Sequence, residues 1–186
     1  MAIRELKTRK EIIEGLSHID KSKWIKTLDD LIRDTVDKKE YRLFLNTDTM
    51  EVNTTGRVVT CEITCGNQRL IELEQRYYTG KISNRRIACS GKITASEKPE
   101  IGMIREMSEE LEIDYKFLEG ELKAGKIALD YTEDVHTPST LYPGIMATFT
   151  SINYTWEMPM THYKTTYTEK DAKKISTFGW IPKGTK

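Results

Sequence analysis

This 186-residue chain has no long apolar run. A membrane-spanning helix needs about 20 consecutive apolar residues, and nothing here approaches that length. The first residues also lack the apolar segment of a secretory leader, so a cytoplasmic, membrane-free protein is expected. Cysteine is scarce: three residues, Cys61, Cys65 and Cys89, with no C-x-x-C pair among them. That excludes a disulfide framework and a thiolate zinc site. Net charge is absent as well, with 29 basic and 29 acidic residues. No global field draws the chain to nucleic acid or to an anionic membrane. The length suits one domain, or one domain with an appendage, with enough chain to bury a core unaided.

What the sequence does have is charge, 31% of its residues, and one place where it is concentrated. Gly91 to Ile113 reads GKITASEKPEIGMIREMSEELEI. At about 100° per residue, Glu106, Glu109 and Glu110 fall on one helix face, while Ile104, Met107 and Leu111 fall on another. Three like charges on one face repel, by up to a few tenths of a kcal/mol per pair. A hard divalent cation relieves that repulsion, because it takes clustered oxygen ligands.

The spacing goes further than an acidic helix. Gly91 is followed after five residues by Glu97, and after seven more by Arg105-Glu106. Met107, Glu109-Glu110 and Ile113 complete the pattern. It resembles the box of the Nudix hydrolases, departing from it at Glu112, where the family has glycine, and at Ser90, where the family usually shows a glycine. The resemblance implies an α+β fold, the Nudix-type α/β/α sandwich with a mixed sheet, over residues 43–186. Residues 1–42 would be an N-terminal helical extension. It implies Glu106, Glu109 and Glu110 as ligands of Mg²⁺ or Mn²⁺, and an ion pair between Glu97 and Arg105 that braces the loop against the helix. Glu112 in the glycine position is expected to alter the helix exit while leaving metal binding intact.

The chain in order supports that frame. Ile12, Ile13, Leu16 and Ile19 recur at helical spacing, and a second amphipathic helix is expected from Ser22 to Tyr41. Its apolar stripe suits packing on the chain's own sheet, a homodimer contact or a substrate lid. Short strands are expected at Arg42–Leu45 and Arg57–Thr64. The latter returns through Cys65–Gln68 into a partly exposed strand, Arg69–Tyr78. Ser96 is a plausible N-cap for the box helix, with Pro99 in its first turn. Beyond the box, Phe117-Leu118 and Leu122–Leu129 suggest strands, Asp130–Thr140 a polar loop, and Leu141–Thr150 a strand entered through Pro143-Gly144. The segment from Thr168 to Ala172 reads as an acid-rich turn, and Phe178–Pro182 as a strand.

The implied reaction is metal-dependent hydrolysis of the phosphoanhydride in a nucleoside diphosphate linked to another moiety. The catalytic base would be Glu109, or a loop acid, Glu133 or Asp134; His136 lies in the same loop. Arg85, Arg86 and Lys92 precede the acidic helix and are candidates for phosphate oxygens, and Tyr131 for stacking on a base. Two other readings fit the same residues. One is a Nudix-fold binding or sensor protein with little turnover. The other is an RNA 5′-end processing enzyme, for which the neutral charge is a poor match.

Overall fold

The computed structural model describes residues 2–84 and 86–185. In chain order the strands are β1 (Ile3–Glu5), β2 (Tyr41–Asn46), β3 (Val52–Cys65), β4 (Gln68–Tyr77), β5 (Ile82–Ser83), β6 (Cys89–Ile93), β7 (Ile127–Pro138), β8 (Met146–Glu157), β9 (Thr166–Lys170) and β10 (Lys174–Pro182). The α-helices are α1 (Arg9–Gly15), α2 (Leu28–Ile32), α3 (Pro99–Leu111) and α4 (Tyr115–Lys123). The class is α+β, and the ladders β1–β2, β2–β3, β3–β4, β4–β5, β4–β10 and β9–β10 are all antiparallel.

The chain divides into two compact units. One holds the residues up to Val58 with Lys92–Glu97 and Glu133–Ser151; the other holds Val59–Gly91, Lys98–Thr132 and the chain from Ile152 onward. Strands β3, β6, β7 and β8 each contribute residues to both.

In the first unit, local chemistry explains where the helices begin. Thr8 and Glu11 form a reciprocal capping box at α1, and Thr27 and Asp30 form another at α2. The second box places the helix start at Thr27, later than the expected Ser22. Beyond Ile32 the helix continues as a π-helical turn, Arg33–Asp37. Residues 2–42 are therefore not wholly helical, since β1 and the start of β2 lie within them, and β1 pairs with the end of β2, Phe44–Asn46. The apolar stripe closes on the chain itself. Leu6, Ile12, Leu16, Leu31 and Ile32 pack with Leu43, Leu45, Val52, Tyr142 and Ile145 in one buried cluster. Each such side chain contributes roughly 1.5–3 kcal/mol by leaving water. Trp24 meets Tyr142 edge-on at 5.0 Å and donates its indole N–H to the Pro143 carbonyl.

Two expectations fail between Asp130 and Thr150. Asp130–Pro138 is strand rather than loop, because its polar side chains find partners across the β7–β8 pair. Thr150 donates to Asp134 at 2.7 Å, and His136 Nδ1 lies 2.7 Å from Thr148 Oγ1. Strand β8 begins at Met146, so Leu141–Ile145 belong to the preceding turn.

In the second unit, β3 turns through Gly66-Asn67 into β4, with Cys65 opposite Gln68. Gly66 takes φ +55°, as a two-residue hairpin turn requires. Strand β4 is more buried than its charged residues suggest. Glu72 is fully enclosed, and the Gln75 amide donates to its carboxylate at 2.6 Å. Phe117-Leu118 and Leu122-Lys123, expected as strand, belong to α4 instead. Asp114 caps it by accepting from the Phe117 N–H, and Gly125 stands just past its end at φ +72°. Thr168–Lys170 lie in β9, antiparallel to β10, and do not form a turn.

Candidate functional site

Helix α3 begins as the sequence suggests in one respect and differently in another. Pro99 takes the first position, where its missing N–H costs nothing. The N-cap is Lys98, not Ser96, and no side chain caps it. Met103, Ile104, Met107 and Leu111 are fully buried and fix the rotation of the helix. That rotation sets the directions of the acids on the other face.

Glu106 is strongly perturbed by its surroundings. Its carboxyl group lies where a Cβ on Gly91 would have to be, so any other residue at position 91 would collide with it. The glycine of the pattern is thus needed for space. Burial, with repulsion from Glu109 and Glu169, pushes the Glu106 carboxyl up to about 7, against the pull of Arg105. Arg105 Nη1 lies 2.6 Å from Glu106 Oε1 and 3.7 Å from Glu109 Oε2. Arg105 thus serves two of the helix acids. Glu97 itself lies in the other unit, at the end of the turn Thr94–Glu97.

Glu110 is buried and accepts the backbone N–H of Ser90 at 3.3 Å. That contact uses the backbone of Ser90 and does not depend on its side chain. Glu109 is the exposed member of the three. A fourth acid was missed by the sequence reading. Glu169, on β9, is raised by burial and by the charge of Glu109. Its one signal is alternation: Tyr167 and Glu169 point inward while Thr166, Thr168 and Lys170 are exposed.

The helix exit keeps the geometry of a glycine. Glu112 sits at φ +54°, ψ +37°, the left-handed conformation, instead of taking a different path. For a non-glycine residue this costs about 1 kcal/mol. Its carboxylate is 3.8 Å from Lys164 Nζ. A cleft of about 490 Å³ opens here, lined by Leu111, Glu112, Lys164, Tyr167 and Lys170, among others.

The remaining candidates are spread over the chain. Arg86 is exposed, with φ +53° and its N–H on the Asn84 side chain. Arg85 lies outside the described residues. Tyr131 is half-exposed on β7. Glu133, Asp134 and His136 belong to the other unit, on β7. Lys92, in that same unit, is held by Asp34 at 2.7 Å and Glu40 at 3.0 Å, with its ammonium over the Tyr41 ring. Burial opposes its charge, but Tyr41, Asp34 and Glu40 outweigh burial and raise its pKa.

The acids Glu106, Glu109 and Glu110 thus share one face, with Glu169 on a neighbouring strand. Among the described residues, no three such side chains close on a single point that would hold a metal ion as they stand. The donor set is nevertheless all oxygen and all carboxylate, the chemistry of Mg²⁺ and Mn²⁺ sites. The space beside Gly91 is taken up by a carboxylate.

No family model matches the chain, and no curated protein sequence matches it. Among solved structures it is similar to a C. elegans Ap4A hydrolase in a binary complex, with 12% identity over 68% of this chain and 79% of that one, at a TM-score of 0.37. It is similar also to the E. coli dihydroneopterin triphosphate pyrophosphohydrolase, with 14% identity, 68% and 80% coverage and a TM-score of 0.43. A Nudix-family hydrolase from Clostridium perfringens gives 18% identity, 68% and 80% coverage and a TM-score of 0.38.

Proposed function

We propose that this chain is a Nudix-type hydrolase that cleaves a phosphoanhydride with the help of Mg²⁺ or Mn²⁺. The observation that carries the reading is the seat of Glu106, whose carboxyl group occupies the space left by Gly91 beside Glu109 and Glu110 on the same helix. A spacing seen in the sequence thereby acquires a physical reason. Glu106, Glu109 and Glu110 would hold the cation, and Glu169 is the further acid within their field.

When bound, the cation would offset the charge of the phosphate oxygens and lower the pKa of an attacking water. The chain's own groups do the rest. Arg105 restrains Glu106 and Glu109 before the cation enters, lowering the repulsion between them. A carboxylate then takes the proton of the water as its oxygen attacks phosphorus and the bridging P–O bond breaks. Glu109 and Glu169 are the acids proposed for that role. Glu133 remains a proposed base from β7. Arg86 and Tyr131, both exposed, are the proposed substrate contacts, with Arg85 beside Arg86 in the sequence. Lys92 would contact phosphate only by giving up Asp34 and Glu40. The substrate class is a nucleoside diphosphate joined to a second group, released as a nucleoside monophosphate and a phosphorylated remainder.

The test is product release from a panel of nucleoside diphosphate derivatives with Mg²⁺ or Mn²⁺, comparing wild type with Glu110→Gln. The expected result is cation-dependent turnover in the wild type and a loss of at least a hundredfold in the variant. A wild type that binds the cation and cleaves nothing, including 5′-capped RNA, would sink the hydrolase reading in favour of a binding protein.

A further inference from the structure

The turn between β6 and α3 raises a question that the box residues leave unanswered. It carries Glu97, yet the helix that follows has no side-chain cap. Within the turn, Glu97 N–H donates to the Thr94 carbonyl at 3.2 Å, and the Thr94 and Ser96 hydroxyls lie 3.3 Å apart. These are weak restraints for a segment whose Ala95 and Ser96 are exposed. A further restraint comes from elsewhere in the sequence. Arg57, on β3, places Nη1 at 3.2 Å from each of three carbonyls, those of Thr94, Ala95 and Glu97. One guanidinium nitrogen carries two hydrogens, so the three acceptors share them in three-centre bonds. Bonds from an ionised donor are stronger than neutral ones. A single cation therefore gathers three of the four carbonyls of the turn.

We infer that Arg57 is a positioning residue for Glu97: it clamps the Thr94–Glu97 turn and thereby fixes the backbone that carries this acid of the box. The inference rests on reading the box as catalytic, and it goes beyond that reading because Arg57 stands outside the box. A lysine at position 57 brings charge and three N–H donors, but on a flexible stem without the rigid guanidinium plane that aims the bonds. Arg57→Lys should therefore fall between the wild type and Arg57→Ala.

Hydrogen exchange of the full chain, followed by peptide mass analysis, tests the clamp directly, with steady-state kinetics beside it. In Arg57→Ala, exchange in the peptide spanning Thr94–Lys98 should accelerate about tenfold or more, while peptides from α4 and β10 keep wild-type rates. The kcat should drop ten- to a hundredfold with KM within about twofold, and added guanidinium ion should restore part of the loss. Unchanged exchange in that peptide would overturn the clamp, as would faster exchange across the whole chain, which marks general destabilisation. A raised KM at constant kcat would make Arg57 a substrate contact and overturn the positioning role. A wild type silent on every substrate would sink the hydrolase reading, and the exchange result would still decide the clamp.

Discussion

Replacing Glu106 with glutamine should make the metal-free protein more stable at pH 8 while removing its response to metal. Burial and two neighbouring acids raise the Glu106 carboxyl from 4.5 to about 7. A carboxyl whose pKa is higher in the folded state keeps its proton longer there than in the unfolded chain. Native stability consequently declines as pH climbs from about 4.5 to about 7, and above that the penalty is complete. At about 1.4 kcal/mol per pH decade, the ceiling is about 3 kcal/mol. Glutamine keeps an oxygen for Arg105 while removing the charge. A gain of roughly 1–3 kcal/mol at pH 8 corresponds to about 3–8 °C in Tm for a chain of this size. The assay is thermal unfolding of chelator-treated wild type and Glu106→Gln at pH 5 and pH 8, with and without Mn²⁺. Glu106→Gln should melt higher than wild type at pH 8 without metal and equally at pH 5, and should lose the stabilisation that Mn²⁺ gives the wild type. A variant less stable than wild type in metal-free buffer at pH 8 would refute the reasoning. It would mean that the Glu106 carboxylate is held by favourable bonds and not under strain.

Other substitutions probe separate links. Gly91→Ala should displace the Glu106 carboxyl and weaken Mn²⁺ affinity at least tenfold in a calorimetric titration, because its Cβ would collide with that group. Glu112→Gly relieves a left-handed glutamate and should raise stability by up to about 1 kcal/mol in urea unfolding, with metal affinity unchanged. Asp34→Asn takes the closest anion from Lys92 and a partner from Lys26 and should cost about 2–4 kcal/mol, softened by Glu40, in the same assay. The Asp34 carboxyl is held below its ordinary 3.8, chiefly by Lys92 against the cost of burial. Its contribution is therefore present above about pH 4 and lost on further acidification, so wild type and Asp34→Asn should converge in strong acid.

The box was legible because its residues answer to one another over short distances. Pro99 and the buried Met103, Ile104, Met107 and Leu111 set a helix whose rotation is readable from periodicity alone. The hairpin at Gly66 was equally local. Most of the failures have a common physical cause, which is that partners distant in sequence decided the outcome. Thr150 and Thr148 hold Asp134 and His136 in a strand, although the sequence around them is polar enough for a loop. Glu169 faces α3 only because β9 pairs with β10, and no spacing from the box predicts it. Lys92 looks unattached in sequence; its anions, Asp34 and Glu40, come from more than fifty residues away. The helix α4 is a local failure: Asp114 was overlooked as a cap, so its residues were taken for strand. Glu112 shows the reverse case: the helix exit expected to change keeps a left-handed conformation with glutamate in place.

The measurement that bears most directly on the acidic helix is a Mn²⁺ titration of the wild type, Glu109→Gln and Glu110→Gln, followed by calorimetry at pH 8. Carboxylates that hold the cation together should give saturable binding in the wild type and at least a tenfold weaker affinity in each variant, with the fold intact by circular dichroism. Equal affinity in all three proteins would place the cation elsewhere and contradict the assignment of these acids.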